Sequence, residues 1–228
     1  MHSLTKYIGG HGTSIGGIIV DGGNFDWIKD RKRQPLLNEP DQSYGGAVWA
    51  DAVPQLTGAN IPFVIRLRVV LLRDLGAPLS PFNAFQIIQG LETVGLRMKQ
   101  HCSNAEKVVS FLETQKKVKN IIYPTNHQGE IKERAKRYMQ GGYGSLVGMD
   151  VGTRENGAKF IDNLKLLYHV ANIGDARSLA IHPATTTHSQ LNDKELLAAG
   201  VTPGYVRLSI GIEHPDDIIA DIKQALAA

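Results

Sequence analysis

Ser80-Pro81 opens the segment that most constrains this chain. A serine hydroxyl accepts from the amides of a helix's first turn, and a proline suits the first helical position because its φ is already set, so the pair is a strong helix start. Beyond it Phe82, Phe85, Ile88, Leu91, Val94 and Met98 recur at steps of three and four residues. That spacing predicts a long amphipathic helix with those six side chains turned into a core. Upstream, Gly76 followed by Pro78 is a helix stop. The segment it closes, Ile61 to Leu75, suits a strand by its valines and isoleucine. Phe63, Leu67, Val70 and Leu71 also fall on one helical face, and the stop signal decides for helix.

The second half of the chain alternates. Helical spacing over Ala105–Leu112 gives way to a strand-like run, Val118–Tyr123, stopped by Pro124. Lys132–Tyr138 reads as helix, Ser145–Val151 as strand, Asn156–Leu167 as helix, and Ser178–Ile181 as strand. Lys194–Ala199 is a helix closed by Gly200, Tyr205–Ile212 a strand, and Asp216–Ala227 a last amphipathic helix after Pro215. The sum is an α/β chain whose C-terminal part packs as α+β, several strands with helices on one face. Near the N-terminus Ile15–Val20 is an apolar run ended by Asp21-Gly22-Gly23-Asn24, which predicts a buried strand leaving a tight turn. The region around Pro35, Pro40 and Pro54 is rich in loops, and long loops are usually functional or covered by a partner.

Composition narrows the function. Twenty-five basic residues against 22 acidic ones leave a net charge of only +3, with no long basic run set among aromatics, so a nucleic-acid partner is not expected. No uninterrupted apolar stretch reaches about 18 residues, and the N-terminus lacks a leader pattern, so no membrane partner is expected either. The one cysteine, Cys102, allows no internal disulfide and no thiolate metal cluster, which suits a cytoplasmic protein.

Two stretches bear chemistry. In Ser3-Leu4-Thr5-Lys6-Tyr7, running into Ile8-Gly9-Gly10-His11-Gly12, a lysine lies among hydroxyl residues and before a glycine-rich turn. An aldehyde cofactor carrying a phosphate needs such a set: Lys6 for a Schiff base, Ser3 and Thr5 as short donors to phosphate oxygens. A lysine in a Ser/Thr surface turn is also common, and the spacing alone does not choose. The glycines precede a strand, which argues against a dinucleotide fingerprint. In Val206-Arg207-Leu208-Ser209-Ile210, alternation puts Arg207 and Ser209 opposite Val206 and Leu208. A strand-borne guanidinium can grip a carboxylate through two parallel bonds; an ordinary exposed arginine is the other reading. His182 and His188, six apart with no cysteine or carboxylate partner, do not form a zinc pattern, so no metal is expected. Asp175 and Arg177 suggest a loop ion pair rather than an acid/base couple.

Taken together, Ser3–Thr13, Ser80-Pro81-Phe82-Asn83-Ala84-Phe85 with Gly90-Leu91-Glu92-Thr93, Asn172–Leu179, His182–Ser189 and Val206–Glu213 resemble the Cys/Met metabolism family of pyridoxal-phosphate enzymes, on its O-acetylhomoserine sulfhydrylase branch. The resemblance covers almost the whole chain. It implies the C-terminal portion of a fold-type I pyridoxal-phosphate-dependent transferase, with residues 1–79 a remnant of the large cofactor domain and 80–228 a linking helix and small C-terminal domain. It implies pyridoxal 5'-phosphate held by Lys6, with Ser3 and Thr5 beside it. Arg207 and Ser178 would bind the substrate carboxylate, and Thr187 would line the pocket. The reaction implied is replacement at the γ-carbon of O-acetylhomoserine by sulfide or a thiol, in a homo-oligomer acting on small amino-acid substrates. Elimination or cystathionine-type chemistry, or a non-catalytic fragment, are the alternatives. By the same resemblance, family chains begin far upstream of Lys6. The residues that stack on the ring, the carboxylate for its nitrogen and most of the phosphate cradle then lie outside these 228 residues. Gly45 stands where the family pattern usually has a histidine.

Overall fold

Strand β1 (His2–Ser3) pairs antiparallel with β2 (Gly17–Ile18), a ribbon of two residues a side. It belongs to the first of two units in the computed structural model, which describes residues 1–228. That unit is Met1–Ser3 with Gly16–Ala84; the second is Leu4–Ile15 with Phe85–Ala228. The expectation of a buried strand over Ile15–Val20 is overturned. Only Gly17–Ile18 is strand, and Ile15, Ile18, Ile19 and Val20 are exposed, because the only strand beside them is the short β1 and no wider sheet covers their faces.

The first unit is otherwise helical. Helices α1 (Pro35–Asn38), α2 (Trp49–Thr57) and α3 (Pro62–Arg66) surround a small core of Leu37, Trp49, Ala50 and Val53, with Ile61, Ile65, Val69 and Val70 packed against it. Beyond α3 the chain continues as a π-helix, Leu67–Asp74, so Ile61–Leu75 is helical as the stop signal indicated.

Helix α4 (Pro81–Glu113) runs for 33 residues and absorbs what the sequence suggested were two helices. Its start is as expected: the Asn83 amide donates to Ser80 Oγ at 3.1 Å. Its packing is not. Phe85, Ile88 and Leu91 are 54%, 57% and 52% exposed and Phe82 is more exposed still, whereas Ile87, Gly90, Arg97 and His101 are buried. The apolar stripe of the N-terminal half points to solvent, and the face that packs is the one carrying glycine, arginine and histidine. No single helix is long and apolar enough to cross a membrane.

The second unit's sheet has the order β3-β4-β7-β6-β5, with β3 (Asn120–Ile122), β4 (Leu146–Asp150), β5 (Tyr168–His169), β6 (Leu179–Ile181) and β7 (Tyr205–Ser209). All neighbours are antiparallel except β5 and β6. Alternate residues of β4 and β7, Val147, Met149, Val206 and Leu208, are fully buried with Val108, Val109 and Leu112 of α4. Helices α6 (Arg154–Asp162) and α8 (Pro215–Ala227) add Phe160, Ile161, Ile218 and Ile222 to that core. Helices α5 (Gly129–Tyr138) and α7 (Asp193–Ala198) complete the unit, α7 opening on a reciprocal cap between Asn192 and Glu195. Helix α6 stops before Leu167 because the Asp221 carboxylate takes the amides of Lys165, Leu166 and Leu167 at 2.8–3.0 Å. Burial pushes that carboxyl up, but the donors outweigh it and hold it below its ordinary value.

Candidate active site

The Lys6 turn is built by its own backbone: the Gly9 amide donates to Leu4 O at 2.9 Å and the Gly10 amide to Lys6 O at 2.7 Å. From this turn Lys6 Nζ reaches Asn172 and donates to its Oδ1 at 2.7 Å. Asn172 belongs to the loop between β5 and β6, which three bonds tie down. Ala176 N–H donates to Gly10 O at 2.9 Å, Ile212 N–H to Ala176 O at 2.8 Å, and Gly174 N–H to Ser209 Oγ at 2.9 Å. Behind the loop, Arg207 Nη2 donates to Ala171 O at 2.9 Å and reaches Asn172 O at 3.4 Å. Val147 opposite Leu208 and Gly148 opposite Arg207 set the register that turns this arginine away from the core.

A cleft of about 540 Å³ opens here, with Thr5, Lys6, Ser14, Asn172 and Arg177 in its wall. Asp175, also in the wall, accepts from the Arg177 amide at 3.0 Å and pairs with its guanidinium at 3.3 Å, the loop ion pair the sequence suggested. Arg177 also lies 5.1 Å over the Tyr168 ring. Beneath the turn, Tyr7 Oη and Ser145 Oγ are hydrogen-bonded at 2.8 Å, and burial pushes the phenol up. The Tyr7 ring meets His101 edge-on at 5.5 Å. Burial pushes the His101 imidazole down, and its Nδ1–H donates to Ile210 O at 2.7 Å.

The structure thus brings Lys6 and Thr5 to one cleft with the backbone-bonded Arg207 behind it. Ser3 falls in β1 of the first unit. Ser178 bonds to neighbouring groups of its own chain. It is fully buried, its hydroxyl and its amide both donate to Glu213 (2.8 and 2.6 Å), and the hydroxyl accepts from Gly211 N–H at 2.8 Å. It thereby ties the residues that follow β7 to the β5–β6 loop. Thr187 is also placed elsewhere, exposed and bonded to His188 Nδ1 at 2.9 Å, outside the wall of the cleft. His182 is buried, its Nε2–H donating to Pro203 O and its Nδ1 paired with the Thr185 hydroxyl.

Two residues of the site were not singled out by sequence. Asn172 lies at the start of the segment Asn172–Leu179 and had no role assigned to it. Arg97 of α4 is 6% exposed and bonded to the carbonyls of Tyr7 and Ile8. Burial pushes its guanidinium down.

An amine and a threonine hydroxyl in one cleft, beside an arginine paired with Asp175, suit a small carbonyl compound, the amine being the group for the carbonyl carbon. The comparisons agree. Residues 1–227 match the model of the family described as Cys/Met metabolism PLP-dependent enzyme. The chain is 49% identical over 231 residues to an O-acetyl-L-homoserine sulfhydrylase of Leptospira meyeri, covering 99% of this chain and 52% of that protein. It is 43% identical to a homocysteine/cysteine synthase of Saccharomyces cerevisiae, covering 98% of this chain and 52% of that one. Among solved structures, a putative O-acetylhomoserine (thiol)-lyase of Campylobacter jejuni, which holds a pyridoxyl-lysine phosphate, superposes with a TM-score of 0.84 at 40% identity. It covers 100% of this chain and 53% of its own. The chain spans about half the length of the curated relatives it matches.

Proposed function

Since the chain belongs to the Cys/Met metabolism family of pyridoxal-phosphate-dependent enzymes, we propose that its cleft serves a γ-replacement, in which sulfide or a thiol displaces acetate from O-acetylhomoserine. The observation that carries this reading is the Lys6 amine, aimed into the cleft and held at 2.7 Å by the Asn172 amide rather than neutralised by a carboxylate. The residues fit part of the cofactor. Lys6 would hold it covalently, and the Thr5 hydroxyl in the same wall is a short donor of the kind phosphate oxygens take. When bound, pyridoxal phosphate supplies an electron sink for charge developing on the substrate carbon. Released by the substrate amine, Lys6 is the group placed to move protons at the α- and β-carbons. Arg207, rotated off the two carbonyls that occupy it here, would grip the substrate carboxylate with its planar fork.

The finer features follow. The exposed apolar stripe of α4 supports assembly with further copies of the chain, and the single Cys102 suits the cytoplasm.

Mixing the protein with pyridoxal phosphate, reducing with borohydride and mapping the peptides tests the reading. The adduct is expected mainly on Lys6, and Lys6→Ala should remove most of it. An even spread over surface lysines, with the yield unchanged in Lys6→Ala, refutes the assignment. Given O-acetylhomoserine and sulfide, homocysteine is the expected product; release of 2-oxobutyrate instead marks elimination.

A further inference from the structure

The carbonyls of Tyr7 and Ile8 take no part in the two backbone bonds that close the Lys6 turn, and Arg97 of α4 takes both of them. We propose that Arg97 is a positioning residue for Lys6: its buried guanidinium clasps the carbonyl end of the turn and fixes the direction in which the amine enters the cleft. This rests on Lys6 being the cofactor-binding amine.

Arg97 Nη1 donates to Tyr7 O at 2.8 Å and Nη2 to Ile8 O at 3.2 Å. The same Nη2 donates to Gly90 O at 2.6 Å, and Nε to Thr93 Oγ1 at 3.1 Å. One planar group thereby joins a carbonyl of its own helix to two carbonyls of the turn, and none of these partners is a carboxylate. A buried charge without a counter-ion is costly, so side chains in that state are normally paired. Here the compensation comes from carbonyl dipoles gathered at the end of a turn, the same partial negative charge that draws cations to helix C-termini. A lysine could supply the charge but not a fork that meets several acceptors at once.

Two glycines make the clasp fit. Gly10 has φ +71°, and a Cβ there would overlap Arg97 Nη1. A Cβ on Gly90 would overlap the Gly9 carbonyl oxygen. The turn and the helix therefore touch backbone to backbone, with the guanidinium filling the space beside them. A tether of this kind does more than stabilise. Lys6 precedes Tyr7, so any rocking of the turn is transmitted along the lysine stem, and a displacement of about 1 Å at a reacting group can cost about a hundredfold in rate.

Two variants test it: Arg97→Lys, which keeps the charge and loses the fork, and Gly90→Ala, which keeps Arg97 but pushes the turn off the helix. Each is compared with the parent by amide hydrogen exchange and by borohydride trapping of pyridoxal phosphate with peptide mapping. Exchange across residues 4–12 should speed up by about tenfold or more, as expected for losing a bond to a charged group, while β4 and β7 stay as protected as before. The share of adduct on Lys6 should fall several-fold relative to the other lysines. If the turn loosens and the Lys6 share does not fall, Arg97 is only structural and the proposal is wrong. Unchanged exchange in both variants, or loss of protection throughout the sheet in both, overturns it as well; if one variant unfolds, the other decides. A parent chain without preference for Lys6 refutes the cofactor reading itself. That result is recognised before any substitution is made, and it removes the proposal's target with it.

Discussion

The two halves of helix α4 carry similar sequence periodicity and use it in opposite senses. From His101 onward the buried residues include Cys102, Ala105, Val108, Val109 and Leu112, an apolar face laid on the sheet. Before His101 the apolar residues Phe85, Ile88, Leu91 and Leu96 are exposed, and the buried positions are Ile87, Gly90 and Arg97. The C-terminal half thus builds a core, while the N-terminal half holds the turn that carries Lys6. The contrast shows that an amphipathic pattern reports the existence of two faces, not which one the chain itself covers. A glycine is useful where two backbones must touch, and an arginine where carbonyls are left over. Neither purpose is visible as hydrophobicity.

The comparison is tested most severely in the core half. Leu112→Ala removes a side chain that is 1% exposed and packed among Val108, Tyr123 and Ile222 in one cluster. It should cost about 2–5 kcal/mol, the range for truncations of buried leucine. Denaturant unfolding measures this directly. A loss near zero would mean that the C-terminal half is no more a core element than the N-terminal half, and the contrast would collapse.

His101 marks the junction, and its effect is smaller and dependent on pH. Burial pushes the imidazole below its ordinary value, with the bond to Ile210 O opposing but not cancelling this. The fold therefore holds the ring neutral. Stability from it is fully present above the unfolded pKa of about 6.5 and is lost as pH falls from there toward the lower folded value. By pH 6 the loss is at most about 0.8 kcal/mol, the limit set by protonation of the unfolded chain alone. His101→Gln should flatten this part of the stability curve. A wild-type curve already flat between pH 7.5 and 6, or one equally steep in the variant, would remove His101 from the account.

The fold was legible where the signal is local. Ser80 with Pro81 marks the start of α4, and the alternation Val206-Arg207-Leu208 turns Arg207 off the core, because capping and pleat are short-range geometry. Thr5 and Lys6 line one cleft because they are neighbours in one contiguous turn. The pairings the sequence did not show are long-range. Ser178 bonds to Glu213, 35 residues away. Arg97 lies 90 residues from Tyr7, and Asn172 lies 166 from Lys6. No periodicity in either segment records such pairings. The apolar stripe misled for a related reason: the side chains were rightly read as a face, but the fold of this chain leaves that face exposed.

The stripe yields the smallest change in stability and the sharpest form of the comparison. Phe85→Ser, Ile88→Ser and Leu91→Ser combined remove apolar area that water already reaches, so denaturant unfolding of the dilute chain should move within about 0.5 kcal/mol, as for other surface substitutions. Self-association should move instead. Contiguous exposed apolar surface beyond a few hundred Å² usually draws a partner, and light scattering over a concentration series should show the parent chain associating and the triple variant shifted towards monomer. The pair of measurements separates two meanings of an exposed apolar face. If the variant loses several kcal/mol as a monomer, the stripe is a core element after all. If both proteins remain monomeric at every concentration and neither binds a hydrophobic dye, the stripe is a tolerated surface, and assembly through this face of α4 is refuted.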